Sequence, residues 1–464
     1  MYTITTQYKK TIADMLTPVS IYLRLRAKFK NSILLESSDY HGDEHNYSYI
    51  CFHPIAGFKV ENNNLISYIN NQEQIQNITP NSLSNQINDY LKQFLYNNIN
   101  EKCISNGLFG YMSYDAVQYF EDIQFINKNQ LIPDMQYHFY QYIIAFNHFN
   151  QELFIIKNSI EGIQNHYASL EEIESMIKYS PLHLDYFNVD TNKTSNITDE
   201  DYLNMVQKGK ESCYRGDVFQ IVLSRQFQYQ YQGDDFNIYR ALRSINPSPY
   251  CFYFDYDNFR LMGASPEAQL IIQNNKVTIH PIAGTFRRTG NDVQDAELAK
   301  KLADDPKENA EHIMLVDLAR NDLSRSGKNT SVEVYKEVQY YSHVIHLVSK
   351  VSSNITEQTN KIKMIGDTFP AGTLSGSPKY KAMQLIDQYE NRARTFYGGA
   401  IGHLQFNGDF NHAIMIRTLM SKDNTLTLQA GAGVVADSKP ESELQEVENK
   451  LAALNKAILY ATEI

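Results

Sequence analysis

The chain has 464 residues, of which 42% are hydrophobic and 20% charged, and its formal net charge is −11. This length and balance predict a globular protein with a large core, in two or three domains or one composite unit. The acidic charge argues against a general nucleic-acid or anionic-membrane surface, because such surfaces need clustered Lys and Arg.

The four cysteines show no CxxC spacing, and no apolar run approaches the length of a membrane span. We therefore expect neither a zinc site nor a disulfide framework. Reduced thiols and a cytoplasmic location are the simplest interpretation.

The first part of the chain, up to about residue 190, mixes strand-like runs with polar connections. Apolar runs around Cys51 and after Glu152 predict strands, and residues 83–95 predict a helix. Strands and helices do not alternate regularly, which favours an α+β protein over a doubly wound parallel sheet. The polar stretch 188–196 is typical of a linker, and Thr198 followed by three acidic residues predicts a helix N-cap.

The second part alternates strand candidates with helices and shows no repeat of 20–50 residues, which excludes a solenoid. The predicted strands cover residues 218–224, 259–265, 276–284, 413–420 and 425–433, and the predicted helices cover 295–303, 308–323, 379–388 and 441–461.

Two of these helices carry paired carboxylates. Glu308 and Glu311 are three residues apart, as are Glu443 and Glu446, so each pair shares one helix face. Such pairs usually lie on solvated faces, but two of them also suit Mg²⁺, which binds one or two carboxylates and keeps waters. A buried stripe on the first helix is predicted at Ile313, Met314, Val316, Leu318 and Leu323.

Two glycine-rich loops could bind an anion. The loop 369–379 departs from a phosphate-binding loop, because three residues separate Gly372 from Gly376 and Lys379 does not follow directly. The run 430–433 follows an alternating strand, so its backbone N–H groups could approach an anion closely. Either loop could equally be a simple turn.

Three single residues are further candidates. Arg417 lies on an apolar strand and needs a partner, either a structural ion pair or a bound carboxylate. His346 is either a core histidine or a proton carrier, and Glu267 either a surface carboxylate or an acid in an enclosed site. A site that combines these groups predicts a substrate with more than one carboxylate.

Several motifs, taken together, resemble those of the chorismate-utilising enzymes, and within them the anthranilate synthase component I group. They fill residues 200–455 in the family's order, and weaker matches lie at LLES from Leu34 and GYMSYDAVQYFE from Gly110. The motifs are PIAGT at Pro281, EHIMLVDLARNDLSR at Glu311, HVIHLVS at His343, GTLSGSPK at Gly372, YGGAIG at Tyr397, AIMIRT at Ala413 and GAGVVADSKPESELQEVENK at Gly431.

The resemblance implies a large antiparallel-sheet sandwich with helices. Residues 1–190 would form an N-terminal regulatory, tryptophan-binding region, and residues 191–464 a C-terminal chorismate-binding catalytic domain. The implied reaction is the Mg²⁺-dependent conversion of chorismate and ammonia to anthranilate and pyruvate, the first committed step of tryptophan biosynthesis. The alternative is an aminodeoxychorismate synthase component I of the folate pathway.

The resemblance also implies roles for individual residues. Glu311 and Glu446 would hold Mg²⁺, with Glu308 and Glu443 nearby. Substrate would be bound by Gly284, Thr285, Tyr397, Arg417, Gly431, Ala432, Gly433 and Lys450. Glu267 would protonate the departing C4 hydroxyl, His346 would assist the loss of pyruvate, and Thr373 would line the ring.

Two positions separate the reactions within the family. Water-adding relatives carry a basic Lys where this chain has Gln220, and an amide cannot deprotonate water. Many aminodeoxychorismate synthases carry a Lys where this chain has Ala283. Both positions therefore favour free ammonia as the nucleophile and anthranilate as the product.

None of the cysteines lies in a glycine-flanked nucleophile elbow, so we find no glutaminase in this chain. The resemblance implies a separate glutamine amidotransferase subunit, in a heterodimer or heterotetramer. It also implies a tryptophan inhibitor pocket at Glu36, Ser37, Pro249, Tyr250 and Cys251, where Cys251 replaces an expected Met. The run around Pro249 would alternatively be a proline-set turn.

Overall fold

The computed structural model describes residues 1–37, 46–70, 72–127, 130–163, 167–340 and 344–464, with the side chains of Thr285 and Lys307 excepted. The strands of these residues are β1 Tyr2–Ile12, β2 Ile33–Glu36, β3 Tyr47–Glu61, β4 Asn64–Ile69, β5 Gln72–Asn77, β6 Phe94–Tyr96, β7 Leu108–Met112, β8 Met135–Asn147, β9 Glu152–Ile160, β10 Phe187–Val189, β11 Thr194–Ser195, β12 Gln220–Gly233, β13 Tyr250–Asp255, β14 Arg260–Ser265, β15 Ala268–Gln273, β16 Lys276–Ile279, β17 Ile282–Arg287, β18 Lys328–Tyr340, β19 Val344–Asn354, β20 Gly376–Ser377, β21 Ala400–Leu404, β22 Phe410–Ile414, β23 Thr418–Lys422 and β24 Thr425–Val434.

The α-helices are α1 Pro18–Leu25, α2 Leu83–Leu91, α3 Leu170–Tyr179, α4 Asp199–Tyr214, α5 Phe236–Ile245, α6 Asp292–Asp304, α7 Pro306–Ser324, α8 Lys361–Thr368, α9 Lys379–Tyr389 and α10 Pro440–Tyr460. Short 3₁₀ helices cover Tyr114–Tyr119 and Gly372–Leu374. No helix of the described residues is both long enough and apolar enough to cross a membrane.

Two large, mainly antiparallel sheets share the long strands β3 and β8. In one sheet the order runs β12–β24–β23–β14–β13–β2–β3–β8–β9–β1. In the other it runs β19–β16–β15–β22–β21–β7–β8–β3–β4–β5. The prediction of an α+β protein built on antiparallel sheets is confirmed.

The shared strand β3 changes sheets at a bulge. Residues 49–51 pair with β2, whereas residues 56–61 pair with β4, and the register against β8 shifts between Pro54 and Ala56. His53, just before the shift, has a φ of 61°. A bulge bends and twists its strand, which lets one strand serve two sheets that diverge.

The hydrophobic core has three main layers because each sheet buries both faces. Side chains from both sheets meet in the central layer, where Leu35, Phe109, Phe252 and Ile401 lie. A second layer joins the first sheet to α1, α3, α4, α5, α9 and α10, and a third joins the second sheet to α2, α7 and α8. The alternation along β2 shows this directly, since Leu34 belongs to the second layer and Leu35 to the central one.

Two local predictions need correction. The stretch 188–196 is not only a linker, because β10 and β11 within it pair with the long strand β12 and so cover its edge. On α7, Ile313 is 49% exposed, and the buried side is formed by His312, Leu315, Val316, Ala319 and Leu323. These buried residues recur every three or four positions and so share one helix face, and Ile313 lies outside that face, towards solvent.

Other local predictions are confirmed. Thr198 caps α4 in a capping box, in which its hydroxyl accepts from the Asp201 N–H at 3.1 Å and the Asp201 carboxylate accepts from the Thr198 N–H at 3.2 Å. The boundary near residue 190 stays a prediction. Strands from both sides of it pair directly, since β2 pairs with β13 and β7 with β21.

Candidate active site

Glu267 lies directly before β15 and faces the loop that carries Thr373. The Thr373 hydroxyl donates to Glu267 Oε1 at 3.3 Å. Burial raises the pKa of Glu267 to about 8, although Thr373, Arg417 and Lys450 oppose the shift. At neutral pH this side chain is therefore mainly a protonated acid.

Arg417 lies between β22 and β23 in a left-handed conformation, with a φ of 49°. Its backbone carbonyl accepts from the Ala264 N–H at 3.2 Å, which anchors the turn to β14. Glu267 is the carboxylate that acts on the guanidinium, and among the described residues the two form no ion pair, so the structural ion pair considered from the sequence is not formed there. Burial lowers the pKa of Arg417, and nearby Glu267 opposes this shift. A non-glycine residue at positive φ is strained, and such strain clusters at functional sites.

His346 is held by the backbone of the neighbouring strand. Its Nδ1–H donates to the Gly284 carbonyl at 2.8 Å, so in the neutral ring Nε2 carries the lone pair. Burial lowers the pKa of His346, and Arg417 lowers it further, while the bond to Gly284 raises it. The imidazole is therefore neutral at pH 7 and able to accept a proton.

Gly284 brings this histidine close to the first acidic pair. The glycine has a φ of 70°, and a Cβ added there would lie 2.6 Å from Leu302 Cδ1 and 3.0 Å from Glu308 Oε2. Only glycine fits that close approach between β17 and α7. The side chain of Thr285, predicted to line the same region, lies outside the described part of the structure.

Side-chain contacts link strand β24 to both helices that carry the paired carboxylates, α7 and α10. On one side, Gln220 Nε2 donates to Glu311 Oε1 at 3.4 Å, and a Cβ added at Gly433 would lie only 2.4 Å from the same nitrogen. On the other side, Lys450 Nζ donates to the Gly431 carbonyl at 2.8 Å and pairs with Glu446 at 2.7 Å. Glu311 and Glu446 thus both lie one side chain away from the same glycine-rich strand.

Glu311 and Glu446 are the candidate ligands for a magnesium ion. No three His, Cys, Asp or Glu side chains of the described residues form a group that could hold a metal. Mg²⁺ needs only one or two carboxylates, because waters and substrate oxygens complete its shell. In the described ranges no Lys or Arg pairs with the half-buried Glu311, so its charge is available to a cation. The assignment of the metal to Glu311 and Glu446 stays a prediction.

Tyr397 is buried beside these groups by a network that the sequence patterns did not reveal. The Gly431 N–H contacts its hydroxyl, and burial raises its pKa above the usual value. The guanidinium of Arg394 lies 5.6 Å from the Tyr397 ring, donates from Nε to Glu390 at 2.9 Å, and donates to the Leu374 carbonyl at 2.6 Å. Glu390 and Arg394 are four residues apart, which was the only available signal.

The other predicted substrate residue, Ala432, is fully buried and belongs to the core layer between β24 and the helices. Its methyl group therefore packs in the core, and only its backbone is available to the site.

The predicted inhibitor residues also lie together, on adjacent strands. Glu36 of β2 is the register partner of Cys251 in β13, and Tyr250 begins the same strand. Glu36 is 3% exposed, accepts from the Tyr239 hydroxyl and pairs with Arg243 at 2.7 Å. Ser37 follows Glu36 directly, and Pro249 precedes Tyr250 at a bend.

Comparison with known proteins places this arrangement in a family. A family model described as chorismate binding enzyme matches residues 30–456. The chain belongs to this family. The resemblance inferred from the motifs, and with it the expectation of an enzyme, is confirmed.

Two relatives that cover nearly the whole chain carry the same name. The anthranilate synthase component 1 of Aquifex aeolicus (strain VF5) is 35% identical over 100% of this chain and 96% of its own. That of Acetivibrio thermocellus is 37% identical over 100% and 97%.

Solved structures of two chorismate enzymes have the same fold as this chain. Anthranilate synthase component I from Streptococcus pneumoniae TIGR4 matches with a TM-score of 0.78 and 30% identity, covering 96% of this chain and 99% of that one. The menaquinone-specific isochorismate synthase from Escherichia coli has a TM-score of 0.73 at 17% identity, which shows a shared fold only.

Proposed function

We propose that this chain is the synthase subunit that converts chorismate and ammonia to anthranilate and pyruvate, as the name of its relatives suggests. One observation carries the proposal. A carboxyl group that is protonated at neutral pH, Glu267, lies in the field of Arg417, whose guanidinium forms no ion pair among the described residues. Such a pair can bind a carboxylate and protonate a leaving hydroxyl within one substrate.

The side chains then divide the work on a substrate with two carboxylates. Arg417 and Tyr397 hold the enolpyruvyl carboxylate, and the backbone N–H groups of 431–433 with Lys450 hold the ring carboxylate. Glu267 gives its proton to the departing C4 hydroxyl as ammonia adds at C2. His346, neutral and oriented by Gly284, takes the ring proton whose loss accompanies release of pyruvate and aromatisation.

Glu311 and Glu446 would hold Mg²⁺, with Glu308 and Glu443 beside them. The ion held there would supply positive charge against the ring carboxylate. Without it, four carboxylates near the ring carboxylate would repel the substrate, and only Lys450 and the glycine amides would oppose that repulsion.

Gln220 favours amination over hydroxylation. Its amide donates to Glu311 and lies against Gly433, so the position that faces these groups carries no base for water. Ala283 likewise offers no amine in β17. Aminodeoxychorismate synthase, the alternative considered from the sequence, is not favoured by the relatives found.

The proposal includes a partner and a regulator. Ammonia would come from a separate glutamine amidotransferase subunit, in keeping with the component 1 name of the relatives. Tryptophan would inhibit by binding beside Glu36 and Cys251, where a buried carboxylate can receive an ammonium group. All four cysteines are free thiols, which fits a reducing, cytoplasmic location.

The decisive experiment incubates the protein with chorismate, Mg²⁺ and a large excess of ammonium near pH 8, where free ammonia is present and part of Glu267 keeps its proton, with and without tryptophan. Fluorescent anthranilate and stoichiometric pyruvate are expected, and tryptophan should lower the rate. An unaromatised amino product without pyruvate would overturn the proposal in favour of aminodeoxychorismate synthesis. Isochorismate would overturn the role given to Gln220.

A further inference from the structure

A small cavity adjoins Glu267 and Thr373 and extends between β15 and α7. Its polar lining includes Gln269, Thr368 and Asp322, and Leu318 and Ala319 of α7 close its other side. The space admits a few water-sized molecules but not a substrate ring. Whatever enters it is therefore much smaller than chorismate.

Gln269 presents an unsatisfied acceptor in this region. The side chain is 3% exposed, and its Nε2 donates to Thr368 Oγ1 at 3.2 Å. The Thr368 hydroxyl donates in turn to the Ile365 carbonyl at 3.0 Å, so it can only accept from the amide. This fixes the amide orientation and leaves Gln269 Oε1 buried without a hydrogen-bond partner among the described residues.

The neighbouring Lys379 donates to other acceptors and not to that oxygen. Lys379 Nζ is held by Asp322 at 2.6 Å and by the Thr368 carbonyl at 2.9 Å. A buried carbonyl without a partner is destabilising, so a bound donor at this place is favoured. Lys379, Arg417 and Lys450 lie near the two carboxyl groups of the cavity wall, which favours a neutral donor over a cation.

We propose that this cavity binds one small neutral hydrogen-bond donor, water or ammonia, on Gln269 Oε1 and beside the Glu267 carboxyl group. The inference rests on the proposed function. If the molecule is ammonia, its lone pair forms the C2–N bond while the C4–O bond breaks. If it is water, it is the molecule formed when the departing C4 oxygen takes the Glu267 proton.

The atoms and protons of the reaction balance whether the bound molecule is ammonia or water. The new ammonium group on C2 releases one proton, which restores the Glu267 acid directly or through the water, so the cycle consumes no net proton. Gln269 acts as a binding residue in the first version and as a positioning residue for the water in the second.

The test compares Gln269→Leu, which keeps the volume but removes the acceptor, with Gln269→Asn, which keeps an amide. Gln273→Leu is the matched control, because Gln273 is exposed on the same strand. Losing one neutral hydrogen bond should change the affected constant about 2- to 10-fold. Each variant is assayed with ammonium as nitrogen donor and saturating Mg²⁺, and KM is measured for chorismate and for ammonia.

The outcomes separate the two molecules. A raised KM for ammonia at unchanged kcat in Gln269→Leu identifies ammonia. A lower kcat with a larger solvent isotope effect and an unchanged KM for ammonia identifies water. Gln269→Asn should restore part of either loss. Unchanged constants, or equal effects in Gln273→Leu, would overturn the inference.

A second measurement does not depend on turnover. A high-resolution crystal structure of the wild-type protein in ammonium-free buffer should show one ordered molecule within hydrogen-bond distance of Gln269 Oε1. An empty position there would refute the water site even if anthranilate is formed. Conversely, an ordered molecule in a protein that makes no anthranilate would leave the site standing and remove the proposed function.

Discussion

Replacing Glu267 by Gln should abolish catalysis and yet stabilise the protein, because this carboxyl group is buried at a thermodynamic cost. Its pKa is about 8 in the folded chain, against an ordinary value of 4.5. Each pKa unit corresponds to about 1.4 kcal/mol, so at pH 7 folding must supply up to about 3 kcal/mol to protonate it. Glutamine needs no proton and can still accept from Thr373.

The pH dependence has a definite sign. For a group whose pKa is raised in the folded state, the stability it contributes is fully present below the unfolded pKa and declines as pH rises. The advantage of Glu267→Gln should therefore be absent near pH 4, grow between pH 4.5 and 8, and stay constant above pH 8. Thermal unfolding of the two proteins across this range measures it, and the expected difference is a few degrees.

The turnover of Glu267→Gln and the pH dependence of the wild-type rate test the catalytic role of Glu267. Loss of a general acid typically costs 10²- to 10⁴-fold in rate. In the wild type, the rate at saturating free ammonia should fall as pH rises through about 8, where Glu267 loses its proton. A Gln variant with near-normal turnover, or a stability difference that does not vary with pH, would refute the reasoning.

Three further variants test the rest of the site. Glu446→Gln should abolish turnover while the protein stays folded, because Glu446 is half-exposed and, among the residues that the structure describes, pairs only with Lys450; near-normal rates with the wild-type dependence on Mg²⁺ would remove it from the metal site. His346→Met should slow elimination more than amination, so chromatography should show an aminated intermediate, and its absence would remove His346 from the mechanism. Glu390→Gln should lower the free energy of unfolding by about 3–5 kcal/mol, because Arg394 would keep its charge in a buried place; an unchanged denaturation midpoint would contradict this.

Helix positions were predictable from the sequence because their signals are local. The capping residues of α4 and the spacing of carboxylates in α7 and α10 were read correctly, within a few residues at each end. The wrong prediction that Ile313 is buried shows the limit of hydrophobic periodicity as a signal. The apolar residues of α7 surround much of the helix, and its contacts with β17, β18, β19 and α8 select the buried side.

The network around Tyr397 could not be predicted because its contacts are not local. Arg394 joins residues 20 and 172 positions away, through the carbonyls of Leu374 and Val222. The pattern of side chains along the sequence does not show which backbone carbonyls will accept a hydrogen bond from a distant residue. The same holds for Gln269, whose importance depends on a cavity between two elements that are far apart in sequence.

The pairing of strands across residue 190 limits how this protein can be divided. If the chain were cut there and the pieces made separately, β21 would lose β7 and β13 would lose β2. Each piece would then carry long unprotected strand edges, which invite aggregation. Any lineage that dispensed with residues 1–190 would therefore have to rebuild those edges, so evolution can change this part of the chain far more easily than delete it.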